Sequence, residues 1–84
     1  MKKNTKHLLM ILLMDKIFDY LKQSALLQKE KAILSLTILY NNSVGIGDHT
    51  TNDYYKNIDE AFEMFCQAEE KLENLKKLKK ILVN

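Results

Sequence analysis

Asn41-Asn42-Ser43-Val44-Gly45-Ile46-Gly47-Asp48-His49 carries both glycines of the chain, which contains no proline. Glycine takes positive φ at little cost, so this stretch is where the sequence asks for an unusual backbone. The segments on either side carry apolar residues at helical spacing. The stretch therefore reads as the turn of a long antiparallel helical hairpin, spanning about residues 42–50, and the fold class is all-α.

Upstream, no Gly or Pro interrupts Leu8 to Tyr40. One apolar register follows Met14, Phe18, Leu21, Ala25, Ala32 and Leu39, and a neighbouring ridge follows Leu26, Ile33, Leu36 and Tyr40. That face is wider than one coiled-coil seam, which predicts contact with more than one helix, as in a helical bundle. Gln28 and Ser35 fall on the first register, where small or polar side chains permit close approach or specify alignment. A helix is expected over about residues 6–41. The run Leu8 to Met14 is apolar on all sides, so the pattern also allows a short or broken N-terminal helix, with the break between Asp15 and Lys31.

Downstream, Ile58, Ala61, Phe65, Ala68, Leu72, Leu75 and Leu82 alternate in steps of three and four, interrupted at Lys79. Tyr55, Phe62 and Leu78 widen this seam, while Glu60, Glu63, Glu69, Glu70 and Glu73 take the other side. Acids toward the start and lysines toward the end suit the helix dipole. Glu73 and Lys77 are spaced to pair at i,i+4. A helix over about residues 51–82 follows, with Thr50 or Thr51 as its N-cap.

At 84 residues, the chain is one helical domain that buries only about 60–65% of its unfolded surface when it folds alone. Two helices packed only on each other leave apolar stripes in water, so a homodimer or higher oligomer, or another protein partner, is expected to cover them. Charge is laid out in blocks. Residues 1–47 hold seven Lys against Asp15, Asp19 and Glu30, residues 48–73 hold eight acids against Lys56 and Lys71, and the tail adds Lys76, Lys77, Lys79 and Lys80. The hairpin thus has basic ends and an acidic turn region. All thirteen basic residues are Lys, and the lack of Arg argues against sequence-specific reading of DNA.

Lysines at 2, 3 and 6 followed by Leu8 to Met14 imitate a secretory signal. Asp15 and Lys16 end the apolar run after seven residues, and no small-x-small cleavage site follows. The run is also too short to span a bilayer. A lone cysteine, Cys66, forms no intramolecular disulfide and fits a reducing cytoplasm.

The turn also carries a candidate site. Gly45-Ile46-Gly47-Asp48-His49-Thr50-Thr51 runs into a helix N-terminus, where backbone N–H groups and the positive dipole end favour an anion. Gly45 and Gly47 would let the backbone form a nest, and His49, Thr50, Thr51 and Lys56 could donate to a nucleotide or phosphate, with Tyr54 stacking on the ligand or closing the turn. Against this, Asp48 and Asp53 repel an anion, and the dinucleotide and P-loop fingerprints are incomplete. Ordinary capping explains the same residues: Asn41 and Asn42 end the first helix, a glycine follows, and Asp48 or Thr51 caps the second.

Asp48, His49 and Asp53 fall short of a closed metal site, and His7 is too far along the hairpin to join them, so no metal and no cofactor are expected. Cys66 has no basic neighbour at i±3 or i±4 and reads as a buried or half-buried packing residue, not a nucleophile. No catalytic constellation is present, and the chain reads as a non-enzyme.

Tyr40 to Thr51, continued by Asp53-Tyr54-Tyr55, Asn57-Ile58-Asp59-Glu60-Ala61 and Ala68 to Leu75, resembles a group of small uncharacterised proteins of tailed bacteriophages, marine myoviruses in particular. Those proteins share an Asn-Pro-x-Gly-x-Gly-acid-His turn, with Ser43 here at the Pro position. The resemblance covers about residues 30–76 and implies a phage origin and a helical hairpin; it carries over no catalytic residue. Two functions are compatible with these features. One is a phage-encoded oligomeric interaction protein that binds a host or phage protein in the host cytoplasm, for host takeover or anti-defence. The other is a small oligomer that captures a nucleotide or phosphate at the turn.

Overall fold

The computed structural model describes residues 2–42 and 51–83. Two helices, α1 (Lys2–Asn41) and α2 (Thr51–Val83), pack against each other as an antiparallel hairpin. α1 is unbroken and begins at Lys2 rather than near residue 6. Its N-terminal turns are apolar on several sides, and with no Pro or Gly among them nothing stops the helix. α2 carries Asp53 in its first turn and Lys80 in its last, each at the end of the dipole that favours its charge.

The buried core consists of Phe18, Ala25, Ala32, Ala61 and Ala68. Ala25 and Ala32 are seven residues apart, as are Ala61 and Ala68, so each pair recurs on the same face after two turns. The four alanines are between 0 and 5% exposed. Alanine at these positions lets the two backbones approach closely.

Polar contacts fix the alignment. The Tyr54 hydroxyl donates to the carbonyl of Leu39 at 3.0 Å. Stepping back by sevens along α1 and forward by sevens along α2 then sets Ala32 level with Ala61, Ala25 with Ala68, and Phe18 with Leu75. Gln28, half-buried on the seam, accepts from Lys71 Nζ at 2.8 Å and donates to Gln67 Oε1 at 3.4 Å. A slip by one heptad would break these bonds, so Gln28 specifies alignment, as its place on the seam predicts. Lys29 crosses to Glu69 at 3.3 Å and lies 5.9 Å from the centre of the Phe65 ring. Lys79, at the position where the α2 pattern expects an apolar residue, sits 6.0 Å from the centre of the Phe18 ring.

Three expectations are corrected. Cys66 is exposed, not packed: it follows Phe65 by about 100° around the helix and so turns off the seam. Glu73 pairs with Lys76 at 3.9 Å, one residue short of the expected Lys77. Leu82 on the α2 seam and Leu21 on the α1 register are exposed, while the exposure of Tyr40, Tyr55 and Phe62 accords with the apolar stripes that two helices leave in water. Asn41 and Asn42 do end α1, and both the backbone N–H and the side-chain amide of Asn42 donate to the carbonyl of Ile38, at 3.0 and 2.9 Å.

Candidate functional site

At the turn end, Tyr54 and Lys56 are the members of the proposed ligand set whose side chains are described. Gly45, Gly47, Asp48, His49 and Thr50 lie outside the described residues, and Thr51 is known only as the first residue of α2. Tyr54 spends its hydroxyl on Leu39, in the final turn of α1, where carbonyls begin to run out of intrahelical donors. Its ring meets Tyr55 edge-on at 5.9 Å. Lys56 reaches Glu60 one turn along its own helix at 4.0 Å, with both side chains largely in solvent. Of these contacts, the Tyr54 bond to Leu39 crosses between the helices and clasps the turn end of the hairpin.

Among the described residues, no group of three or more His, Cys, Asp or Glu is placed to hold a metal ion. Asp48 and His49, of the metal set weighed from the sequence, lie outside those residues. His7 lies at the opposite end, beside Met10, Ile11, Met14 and Leu82. No helix among the described residues is long and apolar enough to cross a membrane.

What the hairpin does present is apolar surface on both flanks of its seam. On one flank an open groove of about 800 Å³ has Phe18, Leu26, Leu72 and Leu75 as its floor, with Asp19, Lys22, Lys29, Glu69 and Lys76 among its rim residues. Toward the turn it gives way to an apolar patch of Ile33, Leu36, Tyr40, Phe62 and Phe65. That flank includes the ridge read from the sequence.

The other flank was not singled out by the sequence reading. One residue earlier at every step of the inner seam, α1 carries a second three-four repeat. Met10, Leu13, Ile17 and Tyr20 form its first half, Leu27, Leu34 and Ile38 its second, and Ser24 and Lys31 complete the spacing. The seven large side chains are 51–69% exposed. The signal was present in the sequence as this second repeat, but two seams about 100° apart merge into one broad apolar face when a single register is sought.

Compared with protein-family models, with curated proteins and with solved structures, the chain matches none of them.

Proposed function

We propose that the chain is a non-enzymatic helical-hairpin interaction protein that works as an oligomer and engages a host or phage protein through its exposed helix faces. One observation carries this reading. The chain exposes 7344 Å², against about 5,200 Å² for a compact monomer of its 9.9 kDa mass. Its radius of gyration is 19.6 Å, where a compact domain of this length has about 12 Å. The excess, on the order of 2,000 Å² on one chain, is more than the roughly 800 Å² that each partner gives up in a standard specific interface, so surface remains for one or more partners. Helices with more than one apolar face are those of bundles.

Among the described residues no polar or charged side chain is buried. None there has the desolvated setting in which catalytic acids, bases and nucleophiles are tuned, which supports a binding role over an enzymatic one. The Tyr54 hydroxyl bond across to Leu39 favours a structural clasp at the turn over capture of a nucleotide or phosphate. A phage origin rests on the resemblance of residues 30–76.

Thermal unfolding followed by circular dichroism at several protein concentrations tests the reading, because association that stabilises the folded state makes Tm depend on concentration. The midpoint is expected to rise with concentration across the micromolar range. A cooperative transition at one unchanged temperature, from a chain that stays monomeric, would contradict it.

A further inference from the structure

We infer that the second seam of α1, from Met10 to Ile38, is the interface at which two copies of this chain pair antiparallel, α1 against α1, about a two-fold axis between residues 25 and 26. The inference deepens the self-association proposed above and rests on it. The inner seam of α1 is already taken by α2, so this seam is free for a second chain. In an antiparallel pair, positions of the two alternating sets face each other in layers. The register centred between residues 25 and 26 sets Ile17 against Leu34 of the other copy, Leu13 against Ile38, and Ser24 against Leu27. Each layer occurs twice, as a two-fold axis requires.

Lys31 decides the orientation. A parallel pair would set the two Lys31 ammonium groups against each other in the same layer, a like-charge contact in a partly dry seam. In the antiparallel register Lys31 meets Tyr20 of the other copy instead, whose ring face attracts a cation. Sliding that register by one heptad in either direction moves Lys31 onto Leu13 or Leu27, so the centred arrangement is favoured over its neighbours.

Charge complementarity over the whole hairpin points the same way and selects a second copy as the occupant. The terminal end of the hairpin carries Lys16 and Lys76 to Lys80, and the turn end carries Asp59, Glu60 and Glu63. The antiparallel register, combined with the alignment of α2 on α1, brings Asp59 and Glu60 of one copy to the level of Lys16 of the other along the rod, while Lys76 lines the groove on the far flank. The basic end of one copy then lies along the acidic end of the other, whereas a parallel pair would stack like on like, a long-range preference for the antiparallel direction. The area is sufficient as well. Fourteen large side chains, each losing on the order of 90 Å² at the usual conversion between burial and transfer energy, remove about 1,200 Å², the lower bound for a stable specific interface.

Cross-linking of the full-length chain tests both the face and the direction, in a Cys66→Ser background so that no native thiol competes. Copies carrying Ile17→Cys are mixed with copies carrying Leu34→Cys and oxidised. The account expects mixed disulfide dimers at least tenfold over either homotypic dimer. Predominant homotypic cross-links would mean a parallel pair, and no cross-link above a Lys22→Cys control would mean another face; either overturns the inference. Light scattering on Leu27→Glu and Phe62→Glu gives a second readout. Leu27→Glu is expected to shift the mass to that of a monomer, and Phe62→Glu, on the other flank, to leave it dimeric. The reverse pattern, or an apolar surface that takes up phosphatidylglycerol vesicles in place of a second copy, also overturns it. A dimer with the wrong cross-links sinks the interface but keeps the proposed self-association; a monomer with concentration-independent Tm sinks both.

Discussion

Tyr54 holds the two helices together at the turn end with one hydroxyl, and Gln28 does the same work in the middle with an amide that both donates and accepts. A net hydrogen bond of this kind contributes about 1 kcal/mol. Tyr54→Phe keeps the ring and removes only the bond, so Tm should fall by about 4–8 °C per kcal/mol lost in a chain of this size, read by thermal circular dichroism. An unchanged midpoint would show that the clasp adds nothing. Cys66 gives a second check at this scale. Its thiol is exposed and sits off both seams, so a thiol reagent should modify it in the native protein as fast as in denaturant; protection by tenfold or more would place it in an interface. The place of Gln28 on the seam was legible in the sequence because polar residues inside an apolar repeat are rare. The exposure of Cys66 was not, because one residue of rotation moves a side chain from seam to solvent, and apolar neighbours along the chain do not reveal it.

For the elements, the buried face is, apart from Phe18, made of alanines, and the exposed faces carry most of the large residues. This inversion is the main physical feature of the hairpin. Alanines at 25, 32, 61 and 68 allow the helices to lie close but remove little surface from water, while leucines, isoleucines and aromatics face outward. Ala32→Leu should therefore be more damaging than its chemistry suggests: overpacking a close helix contact costs about 1–3 kcal/mol, which a denaturant titration would read as a lower midpoint with the slope unchanged. A stabilised variant would mean that the helices are not held at alanine distance. The hairpin itself was legible, since a single glycine-bearing stretch between two periodic segments leaves few alternatives. The seam of α2 was legible too, because acids occupy its other side. α1 was only half legible: with apolar residues on several faces, its periodicity shows that more than one neighbour is needed but does not say which face meets which. The ligand set at Gly45, Gly47, Asp48, His49 and Thr50 lies outside the described residues, and there the sequence reading stands as an expectation.

The whole molecule is a rod of 70 × 16 × 14 Å, with basic residues concentrated at one end and acidic residues at the other. Such a rod cannot hide its apolar faces by bending over them, and on the proposed reading a second chain lies alongside and covers them. In the proposed antiparallel pair, charge segregation adds an ionic component to the association. Raising salt screens exposed charges beyond roughly 8–10 Å, so an antiparallel pair matched end to end should dissociate more readily at high salt, read by sedimentation, while an interface made only of apolar contacts would hold or tighten. The most direct test of the central claim, that this hairpin is completed by a second chain, is its molar mass in solution by light scattering across the micromolar range. The account predicts a mass twice the 9.9 kDa of the chain, falling toward the single-chain value on dilution with a loss of helicity. A fully helical species of single-chain mass at every concentration would contradict it.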